Sequence, residues 1–174
     1  RVILLDVKQK SESNEVNSVG EAKETHKKPA VGLQPAKLLP SGSKNYSFDS
    51  FVVGSGNSMA YGAASAITEK PGSLYNPLYI CGGHGLGKTH LLSAIGNKLR
   101  TKREKLTILF QPADKFIHEF VHAARADKIA QFYSKFHSVD VLLFDDVQYI
   151  GNKEQTQEAF FQIFDLLYES RKQI

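Results

Sequence analysis

Eight consecutive residues near the middle of the chain have the types and spacing needed to bind phosphate. The segment Gly82-Gly-His-Gly-Leu-Gly-Lys-Thr89 matches the pattern G-x-x-x-x-G-K-[ST]. Its glycines let backbone N–H groups curl around an anion, while Lys88 can reach the β and γ phosphates and the Thr89 hydroxyl can ligate Mg²⁺. We therefore predict a nucleotide site formed by Gly82, Gly83, Gly85, Leu86, Gly87, Lys88, Thr89 and His90.

Two adjacent carboxylates follow an apolar run further along the chain. The run Val141-Leu-Leu-Phe144 leads into Asp145 and Asp146, as expected of a buried strand whose carboxyl end reaches a ligand site. Asp145 is the candidate Mg²⁺ ligand, usually through water, and Asp146 stands where a water-activating carboxylate would be. The sequence thus predicts Lys88 and Asp146 as catalytic residues, and Thr89 and Asp145 as metal-binding residues.

A third motif indicates a competing chemistry. His118-Glu-Phe-Val-His122 fits the zinc-peptidase pattern H-E-x-x-H, with two imidazoles at i and i+4. A third protein ligand is needed, but Arg125 and Lys128 occupy positions where one usual arrangement requires glycine and histidine. Only His137 and Asp140 remain as candidates. We interpret the motif as surface histidines on an amphipathic helix, whose apolar side carries Phe116, Phe120 and Val121.

The phosphate and carboxylate motifs require a scaffold of alternating strands and helices. Short apolar runs predict strands at 78–81, 106–110 and 139–144. Longer helical patterns predict helices at 88–99, 114–124, 128–136 and 154–169. This alternation predicts an α/β fold with a parallel sheet flanked by helices on both faces. Another strand pattern begins near Ile174, so we expect the domain to be truncated there.

The beginning of the chain differs in composition from the rest. Residues 11–44 are rich in Ser, Asn, Lys, Glu and Pro and have no aromatic side chain, so we predict a flexible linker. Residues 1–10 are β-rich and fit the last strand of a preceding domain. Residues 45–174 are then the N-terminal part of an ATP-binding domain.

The net charge and the cysteine content say little about the class of protein. The net charge is +4, and residues 1–45 hold most of it, with eight Lys or Arg against five Asp or Glu. One cysteine and no apolar run near the roughly 20 residues of a membrane span favour the cytoplasm. A basic patch consists of Lys98, Arg100, Lys102, Arg103 and Lys105. We interpret it as a solvated helix end in preference to a phosphate contact.

The segments around both nucleotide motifs resemble the bacterial DnaA initiator family. The resemblance spans about residues 44 to 174 and is more specific than a phosphate loop alone. The matching segments are Tyr46-x-Phe48-Asp49-x-Phe51-Val52-Val53-Gly54-x-x-Asn57, Tyr75-Asn-Pro-Leu-Tyr-Ile80, Gly85-Leu-Gly-Lys-Thr-His-Leu-Leu92, Ala94-Ile-Gly-Asn97, Ser138-Val-Asp140 and Asp145-Asp-Val-Gln-Tyr-Ile-Gly-Asn-Lys-Glu154.

This resemblance implies a P-loop AAA+ core that binds ATP or ADP with Mg²⁺ and hydrolyses ATP slowly. It also implies an ATP-dependent filament at the replication origin, strand opening, and interactions with the replicative helicase and with acidic phospholipids. The segment before the linker would belong to a partner-binding domain. We expect the lid and the helix-turn-helix that reads duplex origin DNA to lie outside these 174 residues.

The resemblance also assigns residues to two ligands. Val52, Val53 and Asn57 belong to the segment that lies near the adenine in this family. Positions that contact single-stranded DNA correspond to Val121, Lys153, Gln155 and Thr156. The family usually has arginine where Gln155 stands, which removes one expected charged contact.

Three alternatives remain open at this point. A helicase loader shares the AAA+ core, although the Phe51-Val-Val-Gly54 and Asn152-Lys-Glu154 segments favour the initiator. A P-loop phosphotransferase would need an acceptor pocket, which the tandem Asp145-Asp146 does not indicate. The zinc peptidase is the third.

Overall fold

The computed structural model describes the backbone of residues 2–4 and all of residues 45–174. The predicted linker at 11–44 lies outside the described residues. The strands are β1 (Val2–Leu4), β2 (Tyr79–Cys81), β3 (Ile108–Pro112) and β4 (Val141–Asp145). The helices are α1 (Ser58–Glu69), α2 (Lys88–Lys102), α3 (Ala113–Arg125), α4 (Ile129–His137) and α5 (Glu154–Glu169), with a 3₁₀ helix at Val147–Ile150.

The strands pair in parallel, as the alternation of strands and helices predicts. β3 lies beside β4, with Ile108 opposite Val141 and Pro112 opposite Asp145. β1 pairs with β2. Residues 173–174 connect β4 with the chain just before β2, because Leu142 N donates to Gln173 O at 2.8 Å and Leu78 N donates to Ile174 O at 2.9 Å. Through this link the two two-stranded sheets, β1–β2 and β3–β4, lie side by side with the carboxyl ends of β2 and β4 on the same side.

Hydrophobic packing covers both faces of the β3–β4 sheet. Val141 and Leu143 belong to a buried cluster that includes residues of α1 and α2. Leu142, between them, belongs to a second cluster that includes residues of α3, α4 and α5. Alternate side chains of a strand point to opposite faces, so a strand buried on both sides needs a continuous apolar run. The run at 141–144 has this role.

An aromatic cluster holds three helices against β4. The fully buried Phe116 ring makes edge contacts with Phe132, Phe136, Phe144 and Phe160, with centroid separations of 5.3 to 6.1 Å. Edge-to-face pairs at this spacing are favourable beyond the area they bury. The cluster fixes α3, α4 and α5 relative to the strand that carries the acidic pair.

Two features of the fold differ from the sequence expectations. The strand predicted to be buried at 78–81 begins at Tyr79, whose side chain is 45% exposed, and Ile80 and Cys81 are only half-buried. Helix α1 has no counterpart among the predicted elements. Its buried face is mainly Ala60, Ala63 and Ala64, and alanine gives a weak apolar signal. No helix in the described part of the chain is long and apolar enough to span a membrane.

Candidate nucleotide-binding site

The phosphate loop connects the end of β2 to the start of α2. Gly85 and Gly87 have φ angles of 74° and 82°, in the left-handed region that glycine adopts at little cost. Gly87 is also the N-cap residue of α2. A Cβ atom at Gly87 would lie 2.8 Å from Cε2 of Phe51, so both backbone conformation and close packing require glycine there.

Lys88 folds back over this loop. Its Nζ donates to the carbonyl oxygens of Gly82 at 2.9 Å and Gly83 at 2.7 Å. The ammonium is therefore held at the loop by backbone oxygens. Phosphate oxygens would compete with these carbonyls for the same N–H donors, and their full negative charge would make the stronger bonds.

The two residues predicted to bind Mg²⁺, Thr89 and Asp145, are in direct contact. Thr89 Oγ1 donates to Asp145 Oδ2 at 2.8 Å. Burial raises the pKa of the Asp145 carboxyl, although the hydrogen bond from Thr89 opposes that effect. A divalent cation would favour the ionised form again. A hydroxyl and a carboxylate oxygen are ligands that suit Mg²⁺, so the residues present fit this ion.

Asp146 has a separate orientation, set by its neighbours. Its φ of 56° is left-handed, and its backbone N–H donates to Asp145 Oδ1 at 3.0 Å. Gln148 Nε2 donates to Asp146 Oδ1 at 2.8 Å. Gln148 was not among the predicted site residues, although its position three residues after Asp145 on a short turn could have indicated it. The contact leaves Asp146 Oδ2 as the oxygen without a bond to Gln148.

A cavity of about 550 Å³ brings the two motifs together. Its polar lining residues include His84, Lys88, Asp145, Asp146 and Gln148. The carboxylates and the phosphate loop thus face one space, as the sequence predicts for a nucleotide site. Its apolar wall includes residues of α1, β2, α2, β4 and α5.

A second cavity of about 300 Å³ lies on the other side of the loop. It is lined by Ser50, Phe51, Val52, Asn57, Gly85, Leu86, Gly87 and His90. The predicted adenine-side residues Val52 and Asn57 therefore meet the predicted loop residues Leu86 and His90. Val53 is exposed but does not line this cavity.

The polar groups of Asn57 and His90 are engaged by nearby backbone. Asn57 Oδ1 accepts from Gly54 N at 2.7 Å, and Asn57 Nδ2 donates to Val52 O at 2.9 Å. His90 Nε2 lies 2.9 Å from the carbonyl oxygen of Ser47, which can only accept, so this nitrogen carries the proton. We predicted both residues as nucleotide contacts, yet these bonds hold the protein's own chain.

Of the four residues predicted to contact single-stranded DNA, three are exposed and one is buried. Val121 on α3 is 37% exposed, and Lys153 and Gln155 are exposed at the start of α5. Helix α3 packs against both the 3₁₀ helix and α5. Thr156 is 5% exposed because it lies on the buried face of α5, so the expectation of an available hydroxyl does not match the geometry.

The zinc-peptidase motif does not assemble a metal site. Glu119, its candidate base, accepts from Lys135 Nζ at 2.7 Å. Asp140, one of the two leftover ligands, is bonded to Lys172 Nζ at 2.6 Å and to Thr107 N at 2.9 Å. Among residues 45–174, no three His, Cys, Asp or Glu side chains are grouped to hold a metal ion. The surface-histidine interpretation fits because His118 and His122 are exposed.

Two residues of the basic patch at the end of α2 bond to the end of α1. Lys102 forms an ion pair with Glu69 of α1, and Arg103 Nη2 donates to the Glu69 carbonyl at 2.6 Å. The hydrogen bond from Lys102 lowers the pKa of the exposed Glu69 carboxyl. Two of the five basic side chains thus have structural partners.

Parallel strands flanked by helices, with a lysine-bearing glycine loop facing an acidic strand end, define a P-loop nucleotide-binding domain of the AAA+ type. The sequence profile of the bacterial DnaA ATPase domain matches residues 43–174. The chain belongs to this DnaA family. The resemblance found in the sequence is therefore confirmed.

Relatives and solved structures agree with this assignment. The chain is 48% identical over 140 residues to the chromosomal replication initiator protein DnaA of Geobacter metallireducens, covering 80% of this chain and 31% of that protein. The chain is also 48% identical over 146 residues to DnaA of Thermus thermophilus, and this match covers 84% of the chain and 32% of that protein. The chain thus spans about a third of the length of these relatives.

Three solved structures share the fold. Domain III of the Thermotoga maritima replication initiation protein DnaA has a TM-score of 0.73 and 43% identity, covering 75% of this chain and 55% of that one. AMPPCP-bound DnaA from Aquifex aeolicus has a TM-score of 0.69 and 43% identity, covering 74% and 40%. A DnaA bound to AMPPCP and single-stranded DNA has a TM-score of 0.71 and 43% identity, covering 75% and 40%.

Proposed function

We propose that this chain is the nucleotide-binding part of an ATP-dependent replication initiator, in which bound ATP controls assembly on origin DNA and opening of the strands. The observation that supports the proposal is the 2.8 Å bond between Thr89 and Asp145 near Lys88, since a hydroxyl and a carboxylate that suit Mg²⁺ lie next to a loop that suits phosphate. Membership of the DnaA family supplies the initiator role.

In this proposal the β and γ phosphates of ATP lie in the loop at 82–89. Backbone N–H groups and Lys88 Nζ bond the phosphate oxygens, replacing the bonds that Lys88 makes to Gly82 and Gly83. Thr89 and Asp145 hold Mg²⁺, which neutralises phosphate charge when bound. ADP keeps the contacts except those to the γ phosphate, so the site can distinguish the two nucleotides.

Slow hydrolysis depends on Asp146. Its carboxylate accepts a proton from the attacking water as that water bonds to the γ phosphorus and the bond to the β-phosphate oxygen breaks. Gln148 bonds one carboxylate oxygen at 2.8 Å and so fixes which oxygen faces the water. A short aspartate side chain restrained in this way suits a switch in which ATP persists.

Single-stranded DNA is the proposed partner of the surface formed by α3 and the start of α5. The DnaA structure bound to AMPPCP and single-stranded DNA supports it, together with the exposure of Val121 and Lys153. Filament formation, contact with the replicative helicase, binding to acidic phospholipids and a cytoplasmic location complete the proposal. They rest on family membership.

The test is calorimetric titration of the protein with ATP and with ADP, each with and without Mg²⁺. We expect both nucleotides to bind, and the ATP affinity to depend more strongly on Mg²⁺, because an ion held by Thr89 and Asp145 would neutralise the additional charge of the γ phosphate. Failure of a folded protein to bind either nucleotide would remove the basis of the proposed function.

A further inference from the structure

We infer that Asn57, His90 and Asn97 are positioning residues that fix residues 46–57, here called the strap, against α2 and the phosphate loop. The strap fixed in this way sets the affinity for the base of the nucleotide, while the loop at 82–89 sets the affinity for its phosphates. This inference rests on the proposed nucleotide-binding function and divides its site into two parts with different supports.

The strap has no helix or strand of its own to hold its shape. Residues 46–57 consist of turns, bends and irregular backbone. Such a segment keeps one conformation only when its backbone groups find partners elsewhere, since each fixed residue costs conformational entropy. Two backbone bonds within the strap, from Phe51 N to Phe48 O and from Asn57 N to Gly54 O, are supplemented by side chains that bond its backbone groups.

Helix α2 supplies two of these side chains. Asn97 Nδ2 donates to Tyr46 O at 2.8 Å, and His90 Nε2 donates to Ser47 O at 2.9 Å. Residues seven positions apart lie on the same face of a helix, two turns from each other. The His90 ring also stacks on Tyr46, with centroids 4.7 Å apart and planes inclined by 26°. The start of the strap is therefore attached to the helix that begins at the phosphate loop.

Asn57 holds the other end. Its side-chain oxygen accepts from Gly54 N at 2.7 Å, and its side-chain nitrogen donates to Val52 O at 2.9 Å. These bonds close the segment 52–57 into a compact loop. Because both ends of the amide group are engaged, Asn57 acts on a base through the shape of the loop. Val52 is the residue that this shape presents, since it lines the cavity beside the phosphate loop while remaining 85% exposed.

Phe51 joins the two attachments. Its buried ring packs directly over Gly87, and it makes an edge contact with His90 at a centroid distance of 5.2 Å. The buried Phe51 is thus followed directly in the sequence by the exposed Val52. An apolar side chain that lines a cavity of about 300 Å³ fits the flat face of an aromatic ring such as a nucleotide base.

Loosening the strap should reduce base binding selectively. A disordered strap would have to be ordered by the ligand, so only the fraction of molecules with the competent strap would bind the base well. Loss of one anchoring hydrogen bond should weaken ATP binding about three- to tenfold. The phosphates bind to the loop, so a ligand without a base should be unaffected.

The experiment compares two probes, MgATP and inorganic Mg²⁺-triphosphate, in the full-length protein. Affinity for ATP is measured by calorimetry, and triphosphate binding by the Tm shift it produces at millimolar concentration. Three substitutions each remove one anchor: Asn57→Leu, His90→Phe and Asn97→Leu. Asn57→Leu removes the bonds to Gly54 N and Val52 O without adding a charge near the phosphates. His90→Phe keeps the stacked ring and loses the donor.

Two further variants separate positioning from folding. Thr101→Val is the matched control for Asn97→Leu, because Thr101 lies one turn further along α2 and its hydroxyl bonds only carbonyls of its own helix. It should leave both probes unchanged. His90→Gln keeps an N–H donor close to the Nε2 position and should recover part of the ATP affinity lost in His90→Phe.

The expected result is weaker ATP binding in the three anchor variants with an unchanged triphosphate response. Equal loss for both probes, or no loss for either, would overturn the inference, since the first indicates general damage and the second an anchor without effect. A parent protein that binds neither probe would instead contradict the proposed function.

Discussion

Lys88 has two sets of acceptors, and only one is present without a nucleotide. The carbonyls of Gly82 and Gly83 hold its ammonium at 2.9 and 2.7 Å, which keeps a flexible side chain close to where phosphate would lie. The exchange from neutral carbonyls to anionic oxygens favours the bound state because charge-assisted bonds are stronger. This one side chain therefore contributes much of the affinity for the β and γ phosphates.

Replacing Lys88 with alanine should weaken ATP binding by about 2–4 kcal/mol, the range for a lost charge-assisted contact. Calorimetric titration measures the change directly. Lys98→Ala on the exposed part of the same helix is the control for loss of one positive charge. Equal ATP affinities for the parent and a folded Lys88→Ala protein would contradict the phosphate-loop assignment.

Turnover should depend on Asp146 more than nucleotide affinity does. In the full-length protein, Asp146→Glu should change kcat with little effect on the dissociation constant for ATP, because the longer side chain moves the carboxylate relative to the water. Gln148→Leu should also change kcat, since it removes the 2.8 Å bond that orients Asp146. Single-turnover hydrolysis beside equilibrium binding separates the two quantities, and an unchanged kcat in both variants would remove Asp146 from the mechanism.

At the scale of single elements, Asp140 connects the beginnings of β3 and β4 with the end of the chain. Its carboxylate accepts from Thr107 N and from Lys172 Nζ, and its carbonyl accepts from Gln173 N at 3.0 Å. Burial opposes ionisation of Asp140, but the hydrogen bonds from Lys172 and Thr107 outweigh it and hold the pKa of this carboxyl below its ordinary value.

This lowered pKa predicts how stability depends on pH. A carboxyl whose pKa is lower in the folded state stabilises the protein above its ordinary pKa, and this contribution is lost as the pH falls through the folded-state value. Asp140→Asn should lower the free energy of unfolding at neutral pH and make its decline in acid shallower. Urea unfolding at a series of pH values checks this. Parallel pH profiles for the two proteins would contradict it.

The proposed contact with single-stranded DNA lies on α3 and the start of α5. In the full-length protein, Lys153→Ala should weaken ATP-dependent binding of single-stranded DNA and reduce the log-log salt slope by up to ~0.7, the value for one neutralised phosphate. Gln155→Arg should strengthen binding and steepen the slope. Fluorescence anisotropy with a labelled strand at several salt concentrations measures both.

Two controls sharpen that comparison. Lys105→Ala removes the same charge from the exposed loop before β3, where no contact with single-stranded DNA is proposed. Thr156→Val alters a hydroxyl that is 5% exposed and should leave strand binding unchanged. If neither Lys153→Ala nor Gln155→Arg alters binding while ATP affinity holds, the proposed strand contact is wrong.

Across the whole molecule, the parts that sequence predicts well depend on neighbours along the chain. The phosphate loop and the acidic strand end are local patterns, and the structure brings Lys88, Asp145 and Asp146 to one cavity, with Thr89 bonded to Asp145. Helix α1 escaped prediction because its buried face is mostly alanine. The bond from His90 to Ser47 escaped prediction because the two residues lie 43 positions apart in the sequence.

The bond between Thr89 and Asp145 also has a consequence for biosynthesis, because it joins residues 56 positions apart. Translation delivers the glycine loop first, and at about 5–20 residues per second the partner carboxylate follows roughly 3 to 11 s later. Parallel pairing of distant segments is also slow to form. A nascent chain therefore carries a phosphate loop for seconds before its cation site can close, and cotranslational capture of MgATP must wait for β4 to be made.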